Sequence, residues 1–259
     1  MKSDGEKRMI GEQRRDFPTS EKYSGVLKPV AIFGLKQLCL PTPGNPIQWN
    51  YDRTELIVDG VVHALGVSFG IIGTTILFLV SSASTTVDSS LIAIYAAGLL
   101  AMLLLSATYN LWPVSPRKWL LRRFDHSAIY LLIAATYTPF ISRLNDSSFA
   151  KKFLIGLWGV AFVGAILKLN WPGRYDKLSI ALYLAMGWSG ALAYDQAASS
   201  LPSSIIPLIA AGGGLYTLGV LFHLWERLRF QNAIWHGFVV LGAGCHFSAV
   251  VGLVTANHV

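Results

Sequence analysis

The sequence has few charged residues and few cysteines. Asp, Glu, Lys and Arg make up 14% of its 259 residues, whereas a typical soluble domain has about 25%. This deficit, with 53% hydrophobic residues, excludes disorder over most of the chain and indicates a helical membrane protein. The two cysteines are Cys39, in a polar segment, and Cys245, in an apolar one. A disulfide framework and a cysteine-only zinc site are therefore excluded.

Charged side chains are also missing from the centres of the long apolar segments. A proton or ion transporter needs acids near the midplane, and a pore needs a polar track across the membrane. Neither pattern is present, so we do not expect a transporter, and a pore-forming cytolysin receives little support. The last lysine is Lys177, which leaves no lysine in the final apolar segment for a retinal Schiff base. The basic residues lie between apolar segments, so they indicate membrane topology rather than nucleic-acid binding.

Seven apolar windows are long enough to cross a membrane, which takes roughly 20 residues. The sequence therefore predicts an all-α membrane protein with seven transmembrane helices, and Pro139 predicts a kink in the third. The windows are 58–82, 91–112, 126–144, 153–169, 178–197, 205–225 and 233–256. They define a membrane domain over 58–259. The preceding segment, 1–57, is polar and rich in breaks, and we expect a mostly disordered basic tail in the cytosol.

The basic residues predict the orientation of the chain. Eighteen of the 21 Lys and Arg residues lie in the tail and in alternate connections, on one side of the seven-span topology. The other side has only Arg143, Lys151 and Lys152. The positive-inside rule then places the N-terminus in the cytosol and the C-terminus outside.

Polar residues of four spans are predicted at one depth, near the cytosolic ends. In the first span, Glu55, Asp59 and His63 are spaced i, i+4, i+8 and form one stripe on a helix. Taken singly, Glu55 and Asp59 are also compatible with a solvated first turn. Because ionisable groups are costly in hydrocarbon, a stripe that continues to His63 marks a candidate site.

The other three spans supply five more such residues. They are Ser106 and Asn110 at the end of span two, Asp125 at the start of span three, and Asn232 and His236 at the start of span seven. Singly, Ser106 could bond its own helix backbone, and Asp125 could be an N-cap. Their shared depth favours one cytosolic-side polar cluster.

Several longer motifs resemble the haemolysin III family. They are Ser106-Ala-Thr-Tyr-Asn110, Arg123-Phe-Asp-His-Ser-Ala-Ile-Tyr130, Thr136-Tyr-Thr-Pro-Phe140 and Asn232-Ala-Ile-Trp-His-Gly-Phe-Val239. The resemblance extends from about Glu55 to the end of the chain. It implies kinship with the progestin and adipoQ receptors and the alkaline ceramidases, regarded as seven-helix membrane hydrolases or receptors with a buried zinc.

The resemblance also implies a site. In the family pattern, a histidine at the position of Asn110 and a His-x-x-x-His pair at 232 and 236 hold zinc, with Ser106 and Asp125 as the nearby catalytic residues. Three imidazoles leave an open position for a water molecule, whose pKa the metal lowers to about 7. Here two of the three ligand positions are asparagines, and an amide is a poor zinc ligand beside imidazole.

These substitutions lead to two functional hypotheses. The first is a haemolysin III-like integral membrane protein with a degenerate zinc-hydrolase site, which binds or senses a membrane lipid or a small amphiphile. The second is an active zinc-dependent hydrolase of membrane lipids, acting on an amide or an ester, with His63 as a replacement ligand. His126 follows Asp125 directly, so we do not expect both side chains to point to one ion. We expect the protein in the inner or plasma membrane of a bacterium.

Overall fold

A computed structural model of the protein describes residues 52–82, 87–171, 175–225 and 227–256. The regular elements of these ranges are all helical. The predicted tail, apart from its last six residues, lies outside them. The helices are α1 (Arg53–Ser82), α2 (Ser89–Leu111), α3 (Pro116–Ile141), α4 (Ser147–Asn170), α5 (Asp176–Trp188), a 3₁₀ helix (Ser189–Ala193), α6 (Tyr194–Ser200), α7 (Ile205–His223) and α8 (Gln231–Thr255).

The start of α1 is determined by a reciprocal cap. The backbone N–H of Glu55 donates to the Asp52 carboxylate at 2.8 Å, and the N–H of Asp52 donates to the Glu55 carboxylate at 2.9 Å. This pairing is a capping box, which satisfies N–H groups that lack partners within the helix. The bond from the N–H of Glu55 lowers the pKa of Asp52 below its usual value. The first-turn interpretation of Glu55 is thus confirmed, and α1 begins five residues before the predicted span.

Helix α3 begins much earlier than its apolar window. It starts at Pro116, a favoured residue for a first helical position, so Asp125 lies in the helix interior. The interpretation of Asp125 as an N-cap is therefore wrong. The four basic residues of 117–123 are helical, which adds more than two turns on the inner side of the predicted span.

The fifth apolar window is broken rather than continuous. After α5 ends at Trp188, the chain passes through the 3₁₀ helix into α6. The Tyr137 hydroxyl of α3 accepts the N–H of Gly190 at 2.8 Å and donates to the Gly187 carbonyl. A side chain thus satisfies backbone groups at the break, as membrane-embedded backbone requires.

Among the described residues, five helices are long and apolar enough to cross a membrane: α1, α2, α4, α7 and α8. Their outer faces carry exposed apolar side chains such as Leu65, Leu79 and Ile155. In water, such surfaces would be unstable, whereas lipid chains cover them at no cost. The structure therefore supports an integral membrane protein.

The helices pack as neighbours in an order that brings segments of four helices together. Helix α1 packs against α2 and α8, α2 against α3, α3 against α4, and α7 against α8. The starts of α1 and α8, the end of α2 and the first half of α3 therefore converge, and these segments contain the polar residues selected from the sequence.

An ion network joins α3, α4 and α5 near the same end. The Asp176 carboxylate accepts a hydrogen bond from the buried Lys168, and it lies 3.1 Å from Nη2 of Arg122. Burial by itself would raise the pKa of Asp176, but the Lys168 bond and the Arg122 charge lower it to about 2. The network ties the start of α5, which has few neighbours, to the helix that carries Asp125.

A close approach at Gly164 determines how α4 packs on α3. A Cβ added at Gly164 would overlap the Tyr130 ring, whereas one added at Gly156 of the same helix would meet nothing within 4 Å. Tyr130 is buried and contacts the Tyr183 ring, with centroids 4.5 Å apart. The ring therefore has little room to move away.

We expect Gly164→Ala to lower the thermal stability of the purified protein. Overpacking costs about 1–3 kcal/mol, which exceeds the roughly 1 kcal/mol gained from the higher helix propensity of alanine. Gly156→Ala is the matched control and should be neutral or stabilising. Thermal unfolding in one detergent, followed by circular dichroism, measures both. Equal midpoints for the two variants would contradict the packing derived for α3 and α4.

Candidate functional site

Helix α1 places Asp59 and His63 one turn apart on a buried face. Their exposed fractions are 5% and 6%, so Asp59 is not the solvated residue that a simple first turn would have. The Nδ1 atom of His63 lies 2.8 Å from the Asp59 carbonyl oxygen. Since a carbonyl oxygen only accepts, this Nδ1 carries the proton, and Nε2 of a neutral His63 is left with a lone pair.

Helix α8 brings His236 to the same carboxylate. Nδ1 of His236 lies 2.7 Å from Oδ1 of Asp59, and the His63 and His236 ring centroids are 4.3 Å apart. The Asp59 carboxylate thus orients His236, while its backbone carbonyl orients His63. Carboxylates and carbonyls orient metal-ligating histidines in the same way.

The amide of Asn110, from α2, lies between the two imidazoles. Its Nδ2 is 3.5 Å from Nε2 of His63 and 3.5 Å from Nε2 of His236. The same nitrogen donates to the Ser106 carbonyl at 3.0 Å. An amide nitrogen has two hydrogens, so Asn110 can donate to this carbonyl and to one imidazole at a time. Both Nε2 atoms therefore lie within reach of the same amide nitrogen.

Ser106 and Asp125 complete this group. The Ser106 hydroxyl lies 3.4 Å from Nε2 of His63, and the expected bond to its own helix backbone is absent among the side-chain bonds of the described residues. The buried Asp125 carboxylate, on α3, interacts with the Ser106 hydroxyl and electrostatically with the His236 imidazole. We call Asp59, His63, Ser106, Asn110, Asp125 and His236 the inner polar cluster.

His126 and Glu55 have other contacts. Nδ1 of His126 lies 3.3 Å from the Asp125 carboxylate, and its ring packs edge-on against Tyr109. Glu55 lies on the same face of α1 but accepts the N–H of Phe230 at 3.0 Å. Glu55 therefore ties α1 to the connection between α7 and α8. Phe230, with φ 60°, is the only non-glycine residue of the described chain in the left-handed region.

A cavity of about 320 Å³ opens beside the inner polar cluster. Asp59 and Asn110 line its polar part, and so does Asn232, whose side chain forms no hydrogen bond with the described residues. Its apolar part includes Leu56 and Leu228. The other lining residues are Glu55, Tyr109, Lys118, Arg227, Arg229, Phe230, Gln231 and Ala233.

Three residues of the cluster could bind a metal ion together. Asp59, His63 and His236 each offer one ligand atom, and these atoms lie within 4.8 Å of one another. The group is compatible with zinc, which binds carboxylate and imidazole ligands. It shares only His236 with the ligand set that the family pattern implies.

Comparison with known proteins identifies the family. A family model described as Haemolysin-III related matches residues 51–247. The chain belongs to the haemolysin III family. It is 32% identical to the Hemolysin-3 homolog of Bacillus subtilis (strain 168) over 200 residues, which are 76% of this chain and 93% of that protein. It is 34% identical to Hemolysin-3 of Bacillus cereus over 198 residues, which are 76% of this chain and 90% of that protein.

The family has animal relatives as well. The human Monocyte to macrophage differentiation factor is 31% identical over 165 residues, which cover 61% of this chain and 67% of that protein. The resemblance read from the motifs is thus confirmed for the membrane part of this haemolysin III protein.

The structure brings most of the selected residues together and separates two. The sequence grouped Asp59 only with Glu55 and His63 of the same helix. In the structure, Asp59 contacts both His63 and His236. Asn232 is placed in the cavity, and Glu55 is placed at its rim. The cavity residues Lys118, Arg227 and Arg229 were not selected, because the sequence assigns them only to basic connections.

Proposed function

We propose that this haemolysin III protein binds the polar end of a membrane lipid or another amphiphile in the cavity beside the inner polar cluster, and that the zinc site of the family is degenerate in it. The observation that carries the proposal is the position of Asn110. Its amide lies where both imidazoles direct Nε2, next to a cavity with polar and apolar walls.

The family ligand set fits zinc poorly in this chain. Two of its three members, Asn110 and Asn232, offer amides, which are weak ligands beside imidazole. The Asn110 nitrogen also donates towards the Nε2 lone pairs that a metal would need. A hydrogen-bond donor thus stands where a metal ion would need the Nε2 lone pairs, which favours a hydrogen-bonded cluster over a metal site.

The cavity suits the end of an amphiphile. Its volume of about 320 Å³ is at the lower end of the roughly 300–1,000 Å³ of small-molecule sites, so it holds a headgroup rather than a whole lipid. Leu56, which is 43% exposed on α1, continues the apolar wall outward. The unbonded Asn232 amide supplies a donor and an acceptor.

We expect Asn232→Ala to weaken the binding of amphiphiles. Loss of one hydrogen bond of 0.5–1.5 kcal/mol corresponds to roughly two- to tenfold weaker binding. The probes are photoreactive dodecyl amphiphiles with phosphate, phosphocholine or maltoside heads, and saturable cross-linking to the protein in neutral nanodiscs is measured. Asn170→Ala, at an exposed amide outside the cavity, is the control. If no probe shows saturable cross-linking, or if Asn232→Ala and Asn170→Ala bind the probes equally well, the proposed function is wrong.

We further propose that the protein has seven spans, with the N-terminus in the cytosol. Helix α3 is the first additional span, and α5, the 3₁₀ helix and α6 together form the second. The 26 residues of α3 extend about 39 Å, which exceeds the thickness of the hydrocarbon core. The strong bias of Lys and Arg towards one side supports this orientation.

This topology predicts that alkaline phosphatase fused after Val259 is active, because the enzyme folds only outside the cytosol. A fluorescent protein fused at the same point should be dark when exported through the bacterial Sec pathway. Fusions placed after Arg229 should show the reverse, because that connection is cytosolic. A fluorescent C-terminal fusion would exclude the seven-span arrangement.

A second candidate function is a zinc-dependent hydrolase of membrane lipids. It is favoured by the proximity of Asp59, His63 and His236. In it, His63 and His236 would hold the ion, which supplies an activated water when bound. Asp125 would accept a proton, and the Ser106 hydroxyl would position the reacting group.

Zinc content separates the two candidates. We expect native protein purified without added metal to contain well under one zinc per chain, and the Asn110→His/Asn232→His variant to contain about one, because it restores three imidazoles. Atomic absorption measures both. Stoichiometric zinc in the native protein, together with chelator-sensitive hydrolysis of a ceramide-like substrate, would establish the hydrolase and overturn the degenerate site.

We also propose that the protein lies in the plasma membrane of a bacterium. Both Hemolysin-3 proteins come from Bacillus species, which supports the plasma membrane of a bacterium. A pore-forming cytolysin is not proposed, because the inner polar cluster occupies one end of the helices, and a pore needs polar groups across the full thickness.

A further inference from the structure

The charges that line the cavity are not equally available to a ligand. Both carboxylates have partners within the protein. Glu55 accepts the N–H groups of Phe230 and Asp52, and Asp59 accepts from His236. Neither carboxylate is therefore open to a cationic headgroup.

The basic residues of the lining differ from one another. Nζ of Lys118 donates to the Asn110 and Trp112 carbonyls at 3.0 and 2.8 Å, so it caps the end of α2. The Arg229 guanidinium, 4.8 Å above the Phe230 ring, uses one nitrogen for Asp52 at 3.3 Å and is otherwise exposed. The Arg227 side chain is exposed, and no hydrogen bond or ion pair joins it to the described residues.

These partners leave an excess of positive charge at the cavity. The Arg227 guanidinium is unpaired among the described residues. The Arg229 guanidinium is paired through a single nitrogen on the surface, where an ion pair contributes little to stability. Both belong to the connection before α8, and Asn232 is the second residue of α8. The available groups on this wall are thus donors for an oxyanion.

We propose that the amphiphile bound in the cavity has an anionic headgroup, a phosphate or a carboxylate, held by Arg227 and Arg229 with the Asn232 amide as a further donor. This inference rests on the proposed function and adds the charge of the ligand. The guanidinium is planar and presents two parallel N–H groups, which match the geometry of phosphate and carboxylate oxygens. Leu228 and Leu56 then contact the first methylenes of the chain.

The positive-inside rule alone also places arginines on this side, and a matched arginine separates the two explanations. Arg117 is the second residue of α3. It is exposed and lies on the proposed cytosolic side, but it does not line the cavity. A general surface charge would attract anions through all three arginines alike. A headgroup site depends on the two that line the cavity.

The first experiment measures the choice of headgroup by the native protein in neutral nanodiscs. Photoreactive dodecyl phosphate is cross-linked in competition with dodecyl phosphate, dodecanoate, dodecylphosphocholine, dodecyl maltoside and dodecyltrimethylammonium. We expect the two anionic competitors to be at least about tenfold stronger than the others, a factor that corresponds to one charged contact. If inorganic phosphate competes as strongly as dodecyl phosphate, the cavity is a site for free phosphate, and the proposal of a bound amphiphile is wrong.

The second experiment compares Arg227→Gln and Arg227→Gln/Arg229→Gln with Arg117→Gln. We expect roughly tenfold weaker competition by dodecyl phosphate for the single variant, a larger loss for the double variant, and no change for the control. The single variant keeps the Arg229–Asp52 pair, so its loss does not reflect a broken tether. If Arg227→Gln and Arg117→Gln weaken the competition by dodecyl phosphate equally, general surface charge explains the binding and the headgroup site is wrong.

The outcome also distinguishes this inference from the proposed function. If neutral or zwitterionic probes bind saturably and Asn232→Ala weakens them, while anionic probes have no advantage, the headgroup inference is wrong and amphiphile binding stands. If no dodecyl probe binds saturably, both are wrong.

Discussion

The polar end of the helix bundle in this haemolysin III protein depends on the buried Asp59 carboxylate. An isolated carboxylate in an apolar interior is costly, and it persists only with bonded partners. Asp59 has such a partner in His236, at 2.7 Å, and its backbone carbonyl binds His63 in the next turn. The requirement to satisfy this one group holds α1 against α8 at a defined depth and orients both imidazoles.

The orientation of the imidazoles gives Asn110 its importance. With both Nδ1 atoms engaged, each ring presents Nε2 to the same point, where a cation or a hydrogen-bond donor is equally compatible with the lone pairs. A histidine at position 110 would add a third lone pair and favour a cation, whereas the asparagine offers a donor to one imidazole at a time.

The sequence predicted much of this arrangement because its signals are local. The spacing of Glu55, Asp59 and His63 follows from helical periodicity, and the apolar windows follow from the cost of polar groups in lipid. The errors came from elements that composition does not mark. Helix α3 extends over a basic segment. The helix of the fifth window breaks where the Tyr137 hydroxyl bonds backbone groups of Gly187 and Gly190. Both depend on contacts between helices.

By itself, the sequence determined the membrane class, the family and the residues available near the inner end, because hydrophobicity and helical spacing are properties of consecutive residues. Only the tertiary structure decided that Asp59 joins His63 to His236, that Asn110 lies between them, and that Arg227 and Arg229 line a cavity. These groups are far apart along the chain, and their distances are set by the packing of α1, α2 and α8.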